Sequence, residues 1–127
     1  MANVIKLRKG LNIHLKGTAA QTKRVVGACT EYAVRPDTFE GVVPKLVVHE
    51  GDRVDVGDAL FVDKNFPEVR FASPVSGTVK AVERGERRKI LGIRLQADEV
   101  QKYHDFGRRD VSTLSADEVK SALLEAG

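Results

Sequence analysis

Arg84-Gly85-Glu86-Arg87-Arg88-Lys89 puts four cations into six residues. A cluster of that density can hold a phosphate, a lipid head group or an acidic protein surface. The competing reading is a solvated hairpin tip whose charges keep the sheet edge from pairing with another chain. One hairpin with an acidic interruption and no interleaved aromatics matches nucleic-acid recognition poorly. Arg84, Arg87, Arg88 and Lys89 are therefore read as a solvated tip or a partner contact, with RNA the weaker alternative.

Chemistry elsewhere is sparse. His14, His49 and His104 stand far apart and have no companions at zinc-ligand spacing, so no metal ligand is assigned. There is no phosphate-cradling Gly-x-x-x-x-Gly-Lys loop, no Gly-x-Gly-x-x-Gly after a strand and no Gly-x-Ser-x-Gly elbow. Cys29, the single cysteine, sits in Val25-Val26-Gly27-Ala28-Cys29. A nucleophilic role with a distant His is the sharper reading, but a buried, inert thiol in an apolar strand is the favoured one. No catalytic residue is assigned.

The elements around these residues read as short strands. Val4-Ile5-Lys6-Leu7 and Leu11-Asn12-Ile13-His14-Leu15 alternate apolar with polar, the period of a half-buried strand. Val25 to Val34 reads as another strand, stopped by Arg35-Pro36-Asp37, since proline removes a donor and restricts its predecessor. Leu46-Val47-Val48, Val54 with Val56, Leu60-Phe61-Val62, Phe71-Ala72, Thr78 to Val82 and Ile90 to Leu95 continue the series. Turns at Glu50-Gly51-Asp52, Gly57-Asp58 and Arg84-Gly85-Glu86 separate them. Gly51-Asp52-Arg53 and Gly85-Glu86-Arg87, 34 residues apart, suggest two similar strand–turn–strand units packed as opposing halves of a small sandwich. Ser115-Ala116-Asp117-Glu118 is a capping box. Val119, Ala122, Leu123 and Ala126 form a helical stripe after it, and Gly127 stands where a helix would stop.

Composition agrees. The chain has 127 residues, 42% of them apolar, with no Trp and 11 glycines. This suits one valine-rich, mainly β domain. Charge is mildly basic, +3, from 21 basic and 18 acidic residues; nucleic acid is not an expected partner. A single cysteine cannot make an intrachain disulfide, so an oxidising compartment is not implied. Neither a secretory leader nor a run long enough to span a bilayer is legible, so a cytoplasmic chain with no transmembrane segment is expected.

The block Val48-His49-Glu50-Gly51-Asp52-Arg53-Val54, Gly57-Asp58-Ala59-Leu60 and Ser73-Pro74-Val75-Ser76-Gly77-Thr78-Val79 resembles the lipoyl- and biotinyl-carrier domains. The resemblance implies a barrel-sandwich hybrid fold with a short C-terminal helix. It also raises Lys64 as a modified lysine, because the carrier acceptor lies at a hairpin tip and Lys64 follows a strand and precedes a turn. Its flanks, Asp63, Asn65, Phe66 and Pro67, depart from the carrier pattern. An ordinary exposed loop lysine is the favoured reading.

A longer resemblance runs through most of the chain. Ile5-Lys6-Leu7-Arg8-Lys9-Gly10-Leu11-Asn12-Ile13, Val48 to Val54, Leu60-Phe61-Val62-Asp63-Lys64, Phe71 to Val79 and Arg84-Gly85-Glu86-Arg87-Arg88, in that order, resemble the A subunit of the sodium-translocating NADH:quinone reductases. That resemblance implies a peripheral protein on the cytoplasmic side of the bacterial inner membrane. Its partners would be the membrane subunits of a respiratory sodium pump, which uses NADH and quinone as a whole. The A subunit of that family has been associated with quinone but holds no covalent flavin or iron–sulfur cluster. No quinone-contacting residue carries over. Members are several times longer, so residues 1–101 are expected to be the β domain. Residues 102–127 are expected to be a linker, running to Thr113, and the first helix of a following domain. The alternatives are the C subunit of the related Rnf electron-transport complex, whose expected cysteine motifs do not occur here, a swinging-arm carrier modified at Lys64, and a free-standing interaction module.

Overall fold

The computed structural model describes residue 10 and residues 16–127. The two strands expected before Lys16, and His14 with them, lie outside the described residues. Seven strands occur within them: β1 (Glu31–Val34), β2 (Pro44–Leu46), β3 (Arg53–Val54), β4 (Ala59–Asp63), β5 (Arg70–Ala72), β6 (Gly77–Arg84) and β7 (Ile90–Ala97). A helix, α1 (Ala116–Ala126), follows them, and short 3₁₀ turns lie at Pro36–Thr38, Glu86–Arg88 and Val111–Thr113. The strands form two antiparallel sheets, ordered β1-β7-β6-β3 and β2-β4-β5. This is the mainly β, barrel-sandwich architecture expected from the turn–strand block.

The core lies between the sheets and is aliphatic on one side and aromatic on the other. Val79, Ile93 and Leu95 are fully enclosed on the first sheet. Val79 opposes Leu95 and Val82 opposes Ile93, although 79 and 82 differ in parity, because the β6–β7 register shifts between Val79 and Ala81. A bulge there re-aims the second half of β6 so that both valines face inward. On the second sheet Leu46, Phe61 and Phe71 stand in register across three strands. The Phe61 and Phe71 rings stack at 4.4 Å and 5°, with Phe39 tilted onto Phe71 at 4.7 Å. Another irregularity, between Ala59 and Phe61, lets the consecutive Leu60 and Phe61 both be fully buried.

Two turns explain why glycine and aspartate are paired in the sequence. Gly51 has φ 92° and Gly57 φ 101°, which L side chains resist. Asp52 accepts the His49 backbone N–H at 2.7 Å and Asp58 accepts that of Asp55 at 2.8 Å. The segment Ser73-Pro74-Val75-Ser76-Gly77 is likewise structural. Ser73 exchanges backbone bonds with Gly57 and Asp58. Ser76, with no exposed surface, joins a polar knot: its N–H reaches Gln101 Oε1 at 2.7 Å, and its Oγ accepts from Lys102 N at 2.9 Å and lies 3.3 Å from Asp98 Oδ2. Arg53 closes the knot with a bidentate pair to Asp98 at 2.7 and 3.0 Å. The buried groups of the knot are thus partnered, as burial requires.

Four expectations are corrected. The strand expected from Val25 starts only at Glu31, and Val25 and Val26 are 85% and 81% exposed. Its partner β7 ends with Ala97 N–H and the Gln96 side chain both on the Thr30 carbonyl, so nothing in β7 is left to pair with residues 25–29. Cys29 is accordingly exposed and not a core thiol. The paired Gly51 and Gly85 units are not opposing halves: the second lies entirely in one sheet, while the first crosses from β2 in one sheet to β3 in the other. Gly85 also has an ordinary φ of −100°, and the positive φ values fall on Arg87 and Arg88 instead. In α1 the capping box forms as expected, but Leu123 is 68% exposed while Val119, Ala122, Leu124 and Ala126 are half-buried. The helix lies against β5, and a Cβ at Gly127 would stand 3.2 Å from the Arg70 carbonyl oxygen and 3.3 Å from the Ala72 Cβ.

The stretch after β7 is bonded back onto the barrel. Val56 N–H donates to Lys102 O and His104 N–H to Val56 O, each at 2.8 Å, making a parallel bridge between Val56 and Tyr103. His104 Nδ1 lies 2.6 Å from Asp58 Oδ1, and its ring packs on Phe106 at 4.4 Å. Phe106 covers Gly57, where a Cβ would meet its ring at 3.0 Å.

Candidate interaction surface

The β6–β7 hairpin carries the basic cluster. Gly85 N–H donates to Lys89 O at 2.8 Å and Lys89 N–H to Glu86 O at 3.1 Å, closing a tight 3₁₀ tip. Within it Arg87 and Arg88 hold φ of 53° and 64°, a left-handed backbone that costs a non-glycine residue about 1–2 kcal/mol. Leu91 packs beneath Gly85, with its side chain 3.1 Å from where a Cβ would stand. Arg84, Arg87, Arg88 and Lys89 are all exposed. None of the ion pairs among the described residues includes them; among those residues Arg84 donates to the Arg88 carbonyl, at 3.4 Å.

Other cations on the same sheet are engaged. Lys80 pairs with Glu31 at 2.7 Å, and Arg94 bridges Glu31 and Glu83. The hydrogen bond from Lys80, with help from Arg94, holds the Glu31 carboxyl below the usual carboxylate range. Positive charge on this face is therefore balanced in the middle of the sheet and unbalanced at the tip.

Beside the tip runs a groove of roughly 460 Å³, lined by Leu46, Val48, His49, Glu50, Val82 and Arg84. Its floor is apolar, and its rim carries charge of both signs. Glu50 and the groove are the parts of this surface that the cation spacing alone does not single out. The signal is present in Val48-His49-Glu50, which reads as a turn entry until β6 is placed beside it.

The remaining candidates stand apart. Lys64 opens the five-residue loop closed by Asp63 N–H to Val69 O, and its own N–H donates to Val43 O at 2.8 Å. Its side chain is exposed at the end of a strand, not at the apex of a tight turn. Cys29 lines a cavity of roughly 250 Å³ with Tyr32, Pro74 and Tyr103; its N–H donates to Tyr32 Oη at 3.3 Å. His49 and His104 pair separately with Asp52 and Asp58. Among the described residues no group of three or more His, Cys, Asp or Glu could hold a metal ion, and no helix is long and apolar enough to cross a membrane.

Comparison with known proteins identifies the frame around this surface. Residues 5–98 match the family described as the NqrA N-terminal barrel-sandwich hybrid domain. The A subunit of the Na(+)-translocating NADH-quinone reductase of Haemophilus influenzae (strain PittEE) is 35% identical over 126 residues, which cover 98% of this chain and 28% of the relative. The protein of the same name from Yersinia pestis bv. Antiqua (strain Angola) matches with the same identity and coverage. These names carry the sodium-pump reading and not the Rnf alternative, and the chain spans 28% of the length of these relatives. By the family match and the two-sheet barrel alike, the chain belongs to the NqrA N-terminal barrel-sandwich hybrid domain family.

Proposed function

We propose that this chain is the N-terminal scaffold domain of the A subunit in a sodium-translocating NADH:quinone reductase, held at the cytoplasmic side of the bacterial inner membrane, and that it contacts other subunits through Arg84, Arg87, Arg88 and Lys89. The observation that carries this reading is the conjunction of a match over nearly the whole chain to that protein with four exposed cations that no carboxylate among the described residues neutralises. A hairpin tip that holds two arginines in left-handed backbone keeps a strained shape, and such shapes cluster where a surface meets a ligand or partner. The domain supplies position and carries no covalently bound cofactor. NADH and quinone are handled by the complex as a whole, and this domain's part in quinone chemistry is to hold its parent protein in place.

Native mass spectrometry of the endogenous product, purified in mild detergent, tests this. The expected result is a mass several times that of this chain, no adduct on Lys64, and co-purification with flavin-bearing membrane subunits. A product near 13.9 kDa that travels alone would overturn it in favour of an interaction module. A lipoyl or biotinyl mass on Lys64 would overturn it in favour of a carrier.

A further inference from the structure

We infer that the outer edge of β6, at Val82 and Arg84, receives an extended, acidic segment of a neighbouring protein chain as an added strand. The inference rests on the docking reading above and names what docks, where, and in which conformation.

Over this stretch no described strand pairs with the edge. In the first sheet β7 covers one side of β6 for its whole length, whereas β3 covers the other side only at Gly77 and Thr78. Beyond β3, Val79 exchanges backbone bonds with Gly51 and Asp52. At Val82 the partner is no longer backbone: its N–H donates to the Glu50 carboxylate at 2.7 Å. Gly85 N–H points to the β7 side of the hairpin, since it reaches the O of Lys89, the residue just before that strand. By the alternation of a strand, the N–H and C=O of Arg84 then point outward, on the same side as those of Val82. The result is a short ladder edge ending in a strained basic tip, with the apolar groove of Leu46, Val48 and Val82 next to it.

This arrangement fits strand addition, in which main-chain bonds give affinity and alternate side chains give specificity. One set of side chains from the added strand would enter the groove. Carboxylates at the end of the strand would meet Arg84, Arg87, Arg88 and Lys89. The charge favours an acidic segment, because the four tip cations have no carboxylate partner among the described residues and Glu86 is the one acid within the tip. Glu50 acts as a placeholder: its carboxylate satisfies the Val82 N–H until a partner carbonyl replaces it.

The test uses this chain with a synthetic peptide alternating glutamate and valine, a counterpart with lysine for glutamate, and phosphatidylglycerol vesicles. Binding is followed by calorimetry and by amide hydrogen exchange. The glutamate peptide is expected to bind, to slow exchange at Arg84, and to lose about ten-fold in affinity in Arg87→Glu/Arg88→Glu, since two exposed pairs are reversed. The lysine peptide is expected not to bind. Glu50→Ala, which removes the placeholder bond, is expected to tighten binding about five-fold, and more than Glu50→Gln, which keeps an acceptor. Circular dichroism and the unfolding midpoint check that each variant is folded. Binding without slowed exchange at Arg84 would overturn strand addition while leaving docking by the tip intact. Equal binding of the two peptides, or no binding of the glutamate peptide, with or without binding of the vesicles, would overturn the inference altogether.

Discussion

Gly77→Ala is expected to destabilise the domain by about 2–4 kcal/mol. The reason is proximity and not backbone conformation, since Gly77 is not among the positive-φ glycines. A Cβ built at residue 77 falls onto the Gln96 carbonyl oxygen, 2.9 Å from its carbon and 3.0 Å from the Ala97 Cα. All of these atoms are backbone and cannot rotate away. Nor can β7 retreat, because Glu31 of β1 pairs with Gln96 on its far side and Thr30 accepts the Ala97 N–H. Forcing one methyl into such a site costs about 1–3 kcal/mol. Disturbing the neighbouring bond from Asp98 N–H to Ser76 O, at 2.8 Å, adds about 1 kcal/mol. For a chain of this size the melting temperature should fall by roughly 7–15 °C. Urea unfolding should show a lower midpoint with an unchanged slope. Gly51→Ala is the control: it meets open space and is opposed only by its φ of 92°, about 1 kcal/mol. If Gly77→Ala cost no more than Gly51→Ala, close approach of β6 and β7 would not be what this glycine provides.

Phe61→Ala should cost about 3–5 kcal/mol in the same urea assay, because Phe61 has no exposed surface and stacks on Phe71. Arg88→Gly should stabilise the isolated chain by about 1 kcal/mol or leave it unchanged, since relief of the left-handed backbone is partly offset by glycine's entropy; a clear loss of stability would show that the Arg88 side chain supports the fold. The Glu31 carboxyl is held below its ordinary value of 4.5 by Lys80 and Arg94, so its contribution is present above that value and is lost as the pH falls through the lowered one. Acid unfolding of Glu31→Gln, followed by circular dichroism, should therefore be less steep below about pH 4.5 than that of the parent. Ser115→Ala removes the capping box and should weaken α1 by about 1 kcal/mol, seen as faster amide exchange in residues 116–126 with little change in the barrel.

The strands were legible wherever alternation and turn chemistry coincided. The stretch Thr78 to Val82 was legible as a strand, although the bulge between Val79 and Ala81 breaks its alternation, and Gly51-Asp52 and Gly57-Asp58 make the turns their residues imply. Reading failed where the outcome depended on a distant partner. Val25-Val26 is as apolar as the strands are, but no described strand extends to pair with it, and that fact lies in residues 95–97. The positive φ values at Arg87 and Arg88 were equally hidden, because local propensity argues against them and the closure of the β6–β7 hairpin imposes them. At the interaction surface the cations were visible from spacing alone. The groove was not, since Glu50 and Val82 are 32 positions apart in the chain and meet only once the first sheet is assembled.

The pairing of β1 with β7 has a consequence for how the chain is made. Hairpins such as β6–β7 join near neighbours and can form as soon as their residues are available. β1 has no such neighbour among the described strands: the bond from Gln96 to Thr30 spans 66 positions. At a synthesis rate of about 5–20 residues per second, β1 waits roughly 3–13 s for its partner strand to emerge. During that interval Tyr32 and Val34, later packed against the core, have no sheet to join. Among the described strands of this sheet the first is thus the last to be secured, and the nascent domain depends for those seconds on whatever shields this segment.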